Sequence, residues 1–138
     1  MNPIKRVLFI CTGNSARSQM AEGLLRQLAG KRYEVFSAGT DPKGLHVRSV
    51  DVMGEIGVDL TGHTSKSLDL FLEQKFDHVI TVCDRAREHC PVFPASRTLH
   101  WDFDDPATAP EESQPEEFRR VRDEILERIR SFLTTDGE

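Results

Sequence analysis

The run Lys5 to Cys11 (KRVLFIC), followed at once by Thr12-Gly13-Asn14-Ser15 and then by helical periodicity, is the feature that most constrains this chain. Its residues are branched or aromatic and nearly continuous in apolar character, the pattern of a strand buried on both faces. From Ala16 to Leu28 the period changes. Met20, Leu24 and Leu28 fall on one stripe with Ala21 and Leu25 beside it, and Gly30 supplies a stop. A doubly buried strand that feeds directly into a helix implies a parallel sheet with helical crossovers.

The rest of the chain repeats that alternation. Tyr33 to Ala38 (YEVFSA) reads as a second strand closed by Gly39, and Leu45 to Ile56 as a second helix, with Val52 and Ile56 four apart and Gly57 just past its end. Ser67 to Gln74 reads as a short helical segment, Asp77 to Cys83 (DHVITVC) as a third strand and Thr98 to Trp101 as a fourth. In the tail, Phe118, Val121, Ile125, Ile129 and Phe132 advance by three or four, so a long amphipathic helix is expected, with Pro115 near its start where a missing N–H is tolerated. Pro106 to Pro115 is a surface loop. No internal repeat or low-complexity tract interrupts the pattern. Right-handed crossovers then restrict the fold to α/β: a three-layer sandwich in which helices flank a four-stranded parallel sheet, spanning 1–138 as one domain. In such sheets the functional crevice lies beyond the C-terminal strand ends, where Cys11 and Cys83 fall.

Composition narrows the function. A chain of 138 residues with 38% hydrophobic content supports one sizeable core. Net charge is −5, and Asp102 to Glu127 holds ten of the 23 acids, which argues against a nucleic-acid binder. Val7 to Ile10 is too short to cross a bilayer or form a signal-peptide core, so a soluble cytoplasmic protein with no membrane partner is expected. Cys11, Cys83 and Cys90 are an odd number of cysteines, which disfavours a structural disulfide framework and raises the question of reactive thiols.

The turn Cys11-Thr12-Gly13-Asn14-Ser15-Ala16-Arg17-Ser18 carries the chemistry. A tetrahedral oxyanion needs a nucleophile beneath its central atom and donors around its oxygens. Gly13 permits backbone angles that aim successive N–H groups into one concavity, and the following helix adds its positive end. Arg17 can clamp two oxygens in parallel. The same field favours thiolate over thiol at Cys11, and Ser18 can donate to the sulfur. Asn14 is expected to brace the loop. The alternative, a buried Cys11 beside an incidental surface Arg17, loses weight because the pair sits between a central strand and a helix. A zinc site built from Cys83, His89 and Cys90 with Cys11 or His78 lacks any Cys-x2-Cys or paired-histidine spacing, so no metal and no cofactor are expected. A leaving oxygen also needs a proton, and Asp102, Asp104 and Asp105 are all candidates on residue type alone.

The loop CTGNSARS and the runs VITVCDRAREHCPVFP and HWDFDDPA together resemble the thioredoxin-coupled arsenate reductases built on the low-molecular-weight protein tyrosine phosphatase scaffold, over essentially the whole chain. The first motif is shared with the phosphatases; Cys83 and Cys90 are what discriminate. The resemblance implies that Cys11 attacks arsenate, that Cys83 then attacks Cys11 with release of arsenite, and that Cys90 attacks Cys83 to leave a Cys83–Cys90 disulfide for thioredoxin. It implies substrate contacts along Thr12, Gly13, Asn14, Ser15, Ala16, Arg17 and Ser18, and places Asp105, held extended by Pro106, as the general acid. A helix across Asp84 to Cys90 would separate Cys83 and Cys90 by roughly 10 Å along its axis. A disulfide tolerates a Cα separation of about 7 Å at most, so that segment is expected to rearrange.

Departures from the family also set expectations. Ala16 stands where some members carry a second loop cysteine. In some relatives Asn14, Glu22, Ser37 and an acid after a His-Thr-Ser run hold potassium; here His63-Thr64-Ser65 is followed by Lys66, so no potassium requirement is expected. Ala107 and Thr108 follow Asp105-Pro106 where phosphatases commonly carry aromatics. A phosphomonoester hydrolase and a non-catalytic anion-binding or thiol-sensing domain are the competing readings. A monomer is expected from the acidic surface.

Overall fold

In a computed structural model of the chain, residues 3–83 and 97–135 are described. Their order is β1 (Lys5–Cys11), α1 (Arg17–Ala29), β2 (Tyr33–Gly39), α2 (Val47–Gly54), β3 (His78–Thr81), β4 (Arg97–His100) and α3 (Gln114–Thr135). The four strands form one sheet in the order β2-β1-β3-β4, and every pairing is parallel. The expected α/β fold and four-stranded parallel sheet are therefore present.

β1 is central because its side chains can be buried on both sides. Val7, Leu8, Phe9 and Ile10 are fully buried. By the period of two, Val7 and Phe9 share a face with Val35 and Ser37, their register partners on β2. That face receives α1 and α3. The ring of Phe132 on α3 contacts Tyr33, His78 and Trp101 at centroid distances of 5.8, 5.1 and 5.7 Å. The opposite face carries Phe36, packed with Phe71 and Phe76 at 5.7 Å from each, and the Arg6 guanidinium lies 4.8 and 4.7 Å from the rings of Phe36 and Phe76.

The tail helix is the brace that its apolar stripe implies. Phe118, Val121, Ile125 and Ile129 are fully buried, and α3 packs against both α1 and α2. Arg122 donates to Val52 O at 2.8 Å and to Glu55 Oε1 at 2.9 Å, tying α3 to the end of α2. Arg119 hydrogen-bonds the same carboxylate and is the main cause that holds Glu55 down to about 2, with Arg122 adding to it. Among the described residues no helix is long and apolar enough to cross a membrane.

Three element boundaries differ from the sequence pattern for local reasons. α2 begins at Val47 because the ring of His46 accepts from Arg48 N at 3.1 Å and occupies the N-cap. Ser67 to Gln74 shortens to a 3-10 turn, Leu68–Phe71, capped by Ser67 Oγ; Leu70 and Leu72 are exposed, so no continuous apolar stripe extends it. β3 stops at Thr81 because its neighbour β1 ends at Cys11 and turns away into the loop, with Val82 N still bonded to Ile10 O at 2.9 Å.

Candidate active site

Cys11 ends β1, and Arg17 begins α1, so the turn 12–16 is stretched between a strand end and a helix N-terminus. Ala16 offers no side-chain cap, and the first turn of α1 holds no acid, so that positive helix end stays available to an anion. Each carbonyl of the turn is matched on its outer side. Thr40 N, Asp41 N, Lys43 N and His46 N donate to the carbonyls of Cys11, Thr12, Gly13 and Ser15 at 3.2, 2.8, 2.9 and 3.0 Å. Gln19 Nε2 donates to Asn14 O at 3.1 Å, and Met20 N to Ala16 O at 2.8 Å. With its carbonyls directed outward, the loop leaves its N–H side for the cradle.

The strained position in this loop is Asn14, with φ of 45°, and not Gly13, whose φ is ordinary. Asparagine tolerates the left-handed region better than other side chains, and here its amide also fastens the loop. Asn14 Nδ2 donates to Ser18 Oγ at 2.8 Å and Ser37 Oγ at 2.9 Å, while its Oδ1 accepts from Gln19 Nε2 at 3.0 Å and Lys66 N at 2.8 Å. Gly39 makes this possible: a Cβ there would sit 2.6 Å from Thr12 O and 2.9 Å from Asn14 N.

The Cys11 sulfur is 2% exposed and accepts from Asn14 N at 3.2 Å. Ser18 Oγ lies 2.8 Å from it. Ser18 Oγ also accepts from Asn14 Nδ2, and either partner can donate in the contact between Ser18 Oγ and the sulfur. Asn14 and Ser18 thus stand behind the Cys11 sulfur. Thr12, Gly13, Ser15, Ala16 and Arg17 line the cavity of about 190 Å³ above it, together with Lys43, Asp105 and Ala107.

Arg17 links the cradle to the acidic loop. Its Nη1 donates to Phe103 O at 3.2 Å, and its Nη2 lies 3.7 Å from Asp105 Oδ2. Asp105 is extended before Pro106, and its Oδ1 accepts from Ala107 N at 3.0 Å. Asp104 is drawn away to Arg120 at 2.9 Å. A second cavity, of about 430 Å³, holds Cys83 with Asp102, Phe103 and Asp104, and shares Thr12, Arg17 and Asp105 with the first. Cys83 is buried two residues beyond the end of β3, the strand beside β1, and Thr12 Oγ1 lies 3.5 Å from its sulfur. Cys11 and Cys83 are both free thiols. Cys90 and the segment expected to rearrange lie outside the described residues.

Behind the loop a charge cluster gathers around the buried Glu22. Glu22 accepts from Ser37 Oγ at 2.5 Å and from Arg26 Nη2 at 2.6 Å, with Lys66 Nζ at 3.9 Å and His63 Nδ1 at 3.8 Å. Burial pushes both His63 and Lys66 below their ordinary values, while Glu22 opposes that shift in each. These residues do not fit the potassium ion that the resemblance brings with it. The amide oxygen of Asn14 is already taken by two N–H donors, and the Lys66 ammonium, donating to Thr64 O at 2.7 Å, faces Glu22 where an acid would have to coordinate. Among the described residues no group of three or more His, Cys, Asp or Glu is gathered for a metal.

Sequence reasoning missed the 40–46 segment, Gln19 and Lys43. Gly39 was the available signal for a backbone that passes close under the loop, and Gly44 for the turn that follows. Gln19, fully buried on α1, shares a face with Glu22 and Arg26, a polar stripe that is another readable sign of an internal bracket.

The model of the low molecular weight phosphotyrosine protein phosphatase family matches residues 6–136. An arsenate reductase of Halalkalibacterium halodurans is 46% identical over 136 residues, covering 95% of this chain and 96% of the relative. A solved structure described as an arsenate reductase in the oxidized state superposes with a TM-score of 0.83 at 30% identity, covering 95% of this chain and 98% of the other. The thioredoxin-dependent arsenate reductase of Corynebacterium glutamicum superposes with a TM-score of 0.76 at 31% identity, covering 97% of this chain and 62% of that one. A cysteine and an arginine bracketing an anion cradle at a strand-to-helix turn, in a chain matched almost end to end, place this protein in the low molecular weight phosphotyrosine protein phosphatase family.

Proposed function

We propose that this protein reduces arsenate to arsenite through Cys11, Cys83 and Cys90, and is returned to its reduced state by thioredoxin in the cytoplasm. The observation that carries the reading is the placement of two free thiols at neighbouring strand ends, in cavities that share Thr12, Arg17 and Asp105. A hydrolase needs only the first of those thiols.

The Cys11 thiolate attacks arsenic(V), while Arg17 and the loop N–H groups hold the oxygens and Asp105 gives a proton to the oxygen that leaves as water. The product is a sulfur–arsenic bond. Cys83 thiolate then attacks the Cys11 sulfur: a sulfur–sulfur bond forms, the sulfur–arsenic pair of electrons stays on arsenic, and arsenite(III) departs. Cys90 thiolate displaces Cys11 from Cys83, which regenerates the nucleophile and leaves Cys83–Cys90 for the thioredoxin dithiol. Two electrons enter as that dithiol becomes a disulfide, and two leave on arsenic.

Ala107 and Lys43 at the mouth provide no aromatic platform, which suits a bare oxyanion better than an aryl ester. Slow hydrolysis of small phosphomonoesters through the same Cys11 is the expected side activity, since phosphate and arsenate share geometry. The test is arsenate-dependent NADPH oxidation with thioredoxin and thioredoxin reductase. Cys11→Ser, Cys83→Ser and Cys90→Ser should each stop turnover. Full turnover by Cys83→Ser or Cys90→Ser refutes the relay, and activity in Cys11→Ser overturns the site.

A further inference from the structure

We infer that Lys43 is a second cationic ligand of the anion, acting across the cradle from Arg17 and setting affinity for doubly charged tetrahedral oxyanions. The inference rests on the proposed reaction at Cys11 but concerns a residue outside the Cys11–Ser18 loop.

Three observations converge on it. Lys43 lines the same cavity as Cys11, Arg17 and Asp105. Its position is fixed by the loop itself: its backbone N–H donates to Gly13 O at 2.9 Å, and its Cγ lies only 3.2 Å from where a Cβ on Gly13 would stand. The stem therefore rests on the bare backbone of Gly13, a contact that any larger residue at 13 would disturb. Third, the ammonium is held 2.9 Å from Asp41 Oδ2, and Asp41 N is bonded to Thr12 O at 2.8 Å, so the counter-ion is mounted on the same loop.

Charge explains why a second cation matters here. The chain carries −5, Asp105 lines this cavity, and Asp102 lines the adjoining one. Arg17 is already engaged by Phe103 O and Asp105. A dianion approaching this mouth meets net repulsion unless another cation offsets it, and a low-dielectric cleft with one added positive charge raises the local anion concentration. The lysine is a point charge on a flexible stem, so it can leave Asp41 and reach an arriving oxyanion without rebuilding the loop. Asp41 then acts as the resting place that the anion must outbid.

The experiment compares native protein, Lys43→Met, Lys43→Arg and Asp41→Asn by two readouts. The first is arsenate reduction with thioredoxin and its reductase. The second is protection of Cys11 from iodoacetamide by inorganic phosphate, followed by mass spectrometry of the Cys11 peptide, which reads anion affinity even if no arsenate is reduced. Lys43→Met should raise the KM for arsenate and the protecting phosphate concentration about three- to fivefold at low salt, with kcat nearly unchanged. High ionic strength should erase that difference, because the rim is solvated. Lys43→Arg should behave as native, and Asp41→Asn should tighten both constants. The inference is overturned if Lys43→Met protects like native protein at low salt, or if its defect persists unchanged at high salt, which marks a structural role. Failure of native protein to turn over arsenate while the phosphate pattern holds sinks the proposed reaction and leaves the Lys43 assignment standing.

Discussion

Cys11 and Cys83 sit on adjacent strands of one sheet and are both buried, yet their surroundings differ sharply. The Cys11 sulfur has a backbone N–H donor and a hydroxyl within 3.2 Å, and the asparagine behind them is locked by four side-chain hydrogen bonds. Among the described residues the Cys83 sulfur has a single polar neighbour, Thr12 Oγ1 at 3.5 Å, and it lines the wider cavity. In the proposed relay the first thiol must present one lone pair to an anion in a fixed place, whereas the second must approach another sulfur and later be approached itself, so a dense set of donors would hinder it. Under that proposal rigidity suits the attacking group, and latitude the group that resolves the adduct.

The largest expected effect separates the two roles completely. Cys83→Ser should lower steady-state turnover by at least about a thousandfold, because the thiol that attacks the Cys11 sulfur in the proposed relay is removed. It should nevertheless keep phosphate protection of Cys11 at the native level. If Cys83→Ser also loses that protection, the two cavities are a single binding site and the contrast fails.

Asn14→Ala attacks the fixed side alone. It removes the partners of Ser18, Ser37, Gln19 and Lys66 N at once, so kcat should fall about ten- to hundredfold, with a loss of stability measurable by urea titration. Cys83 alkylation should hardly change. Ser18→Ala deletes the hydroxyl beside the sulfur and leaves the backbone braced, so about a tenfold slower alkylation of Cys11 is expected.

This contrast also explains what could be read from sequence. Apolar runs and helical stripes marked β1, β3 and α3, because burial on two faces or on one stripe leaves a periodic trace. The cysteine, the arginine and their strand-to-helix setting marked the cradle. The bracket of Asn14, Gln19 and the 40–46 segment left little trace. Its hydrogen bonds run between residues 4 to 52 positions apart and largely use backbone atoms, which every residue type supplies. The sequence points to Gly13 as the residue whose backbone freedom shapes the loop, whereas the positive φ falls on Asn14, where the amide gains partners that glycine would lack.

Thr12→Val tests the loose side. It removes the hydroxyl 3.5 Å from the Cys83 sulfur and keeps the shape of residue 12, so Cys11 alkylation should stay within about threefold of native. Any effect should appear in release of arsenite, measured as a single turnover with thioredoxin omitted. A large loss in Cys11 reactivity would mean that Thr12 serves the cradle rather than the second thiol.

The smallest expected effect concerns the cation behind the fixed thiol. Lys66 Nζ lies 3.9 Å from Glu22 Oε1, and Arg26 and Ser37 complete that carboxylate. Because the protein supplies its own ammonium, initial rates in potassium and sodium chloride at matched ionic strength should agree. Lys66→Met leaves Glu22 with Arg26 as its close cation, so the Asn14 bracket should loosen and Cys11 alkylation should slow by about two- to threefold, with Cys83 untouched. A potassium-specific activation of the native protein would show that the ammonium does not fill that place, and the difference between the two thiols would then depend on a solute rather than on the fold.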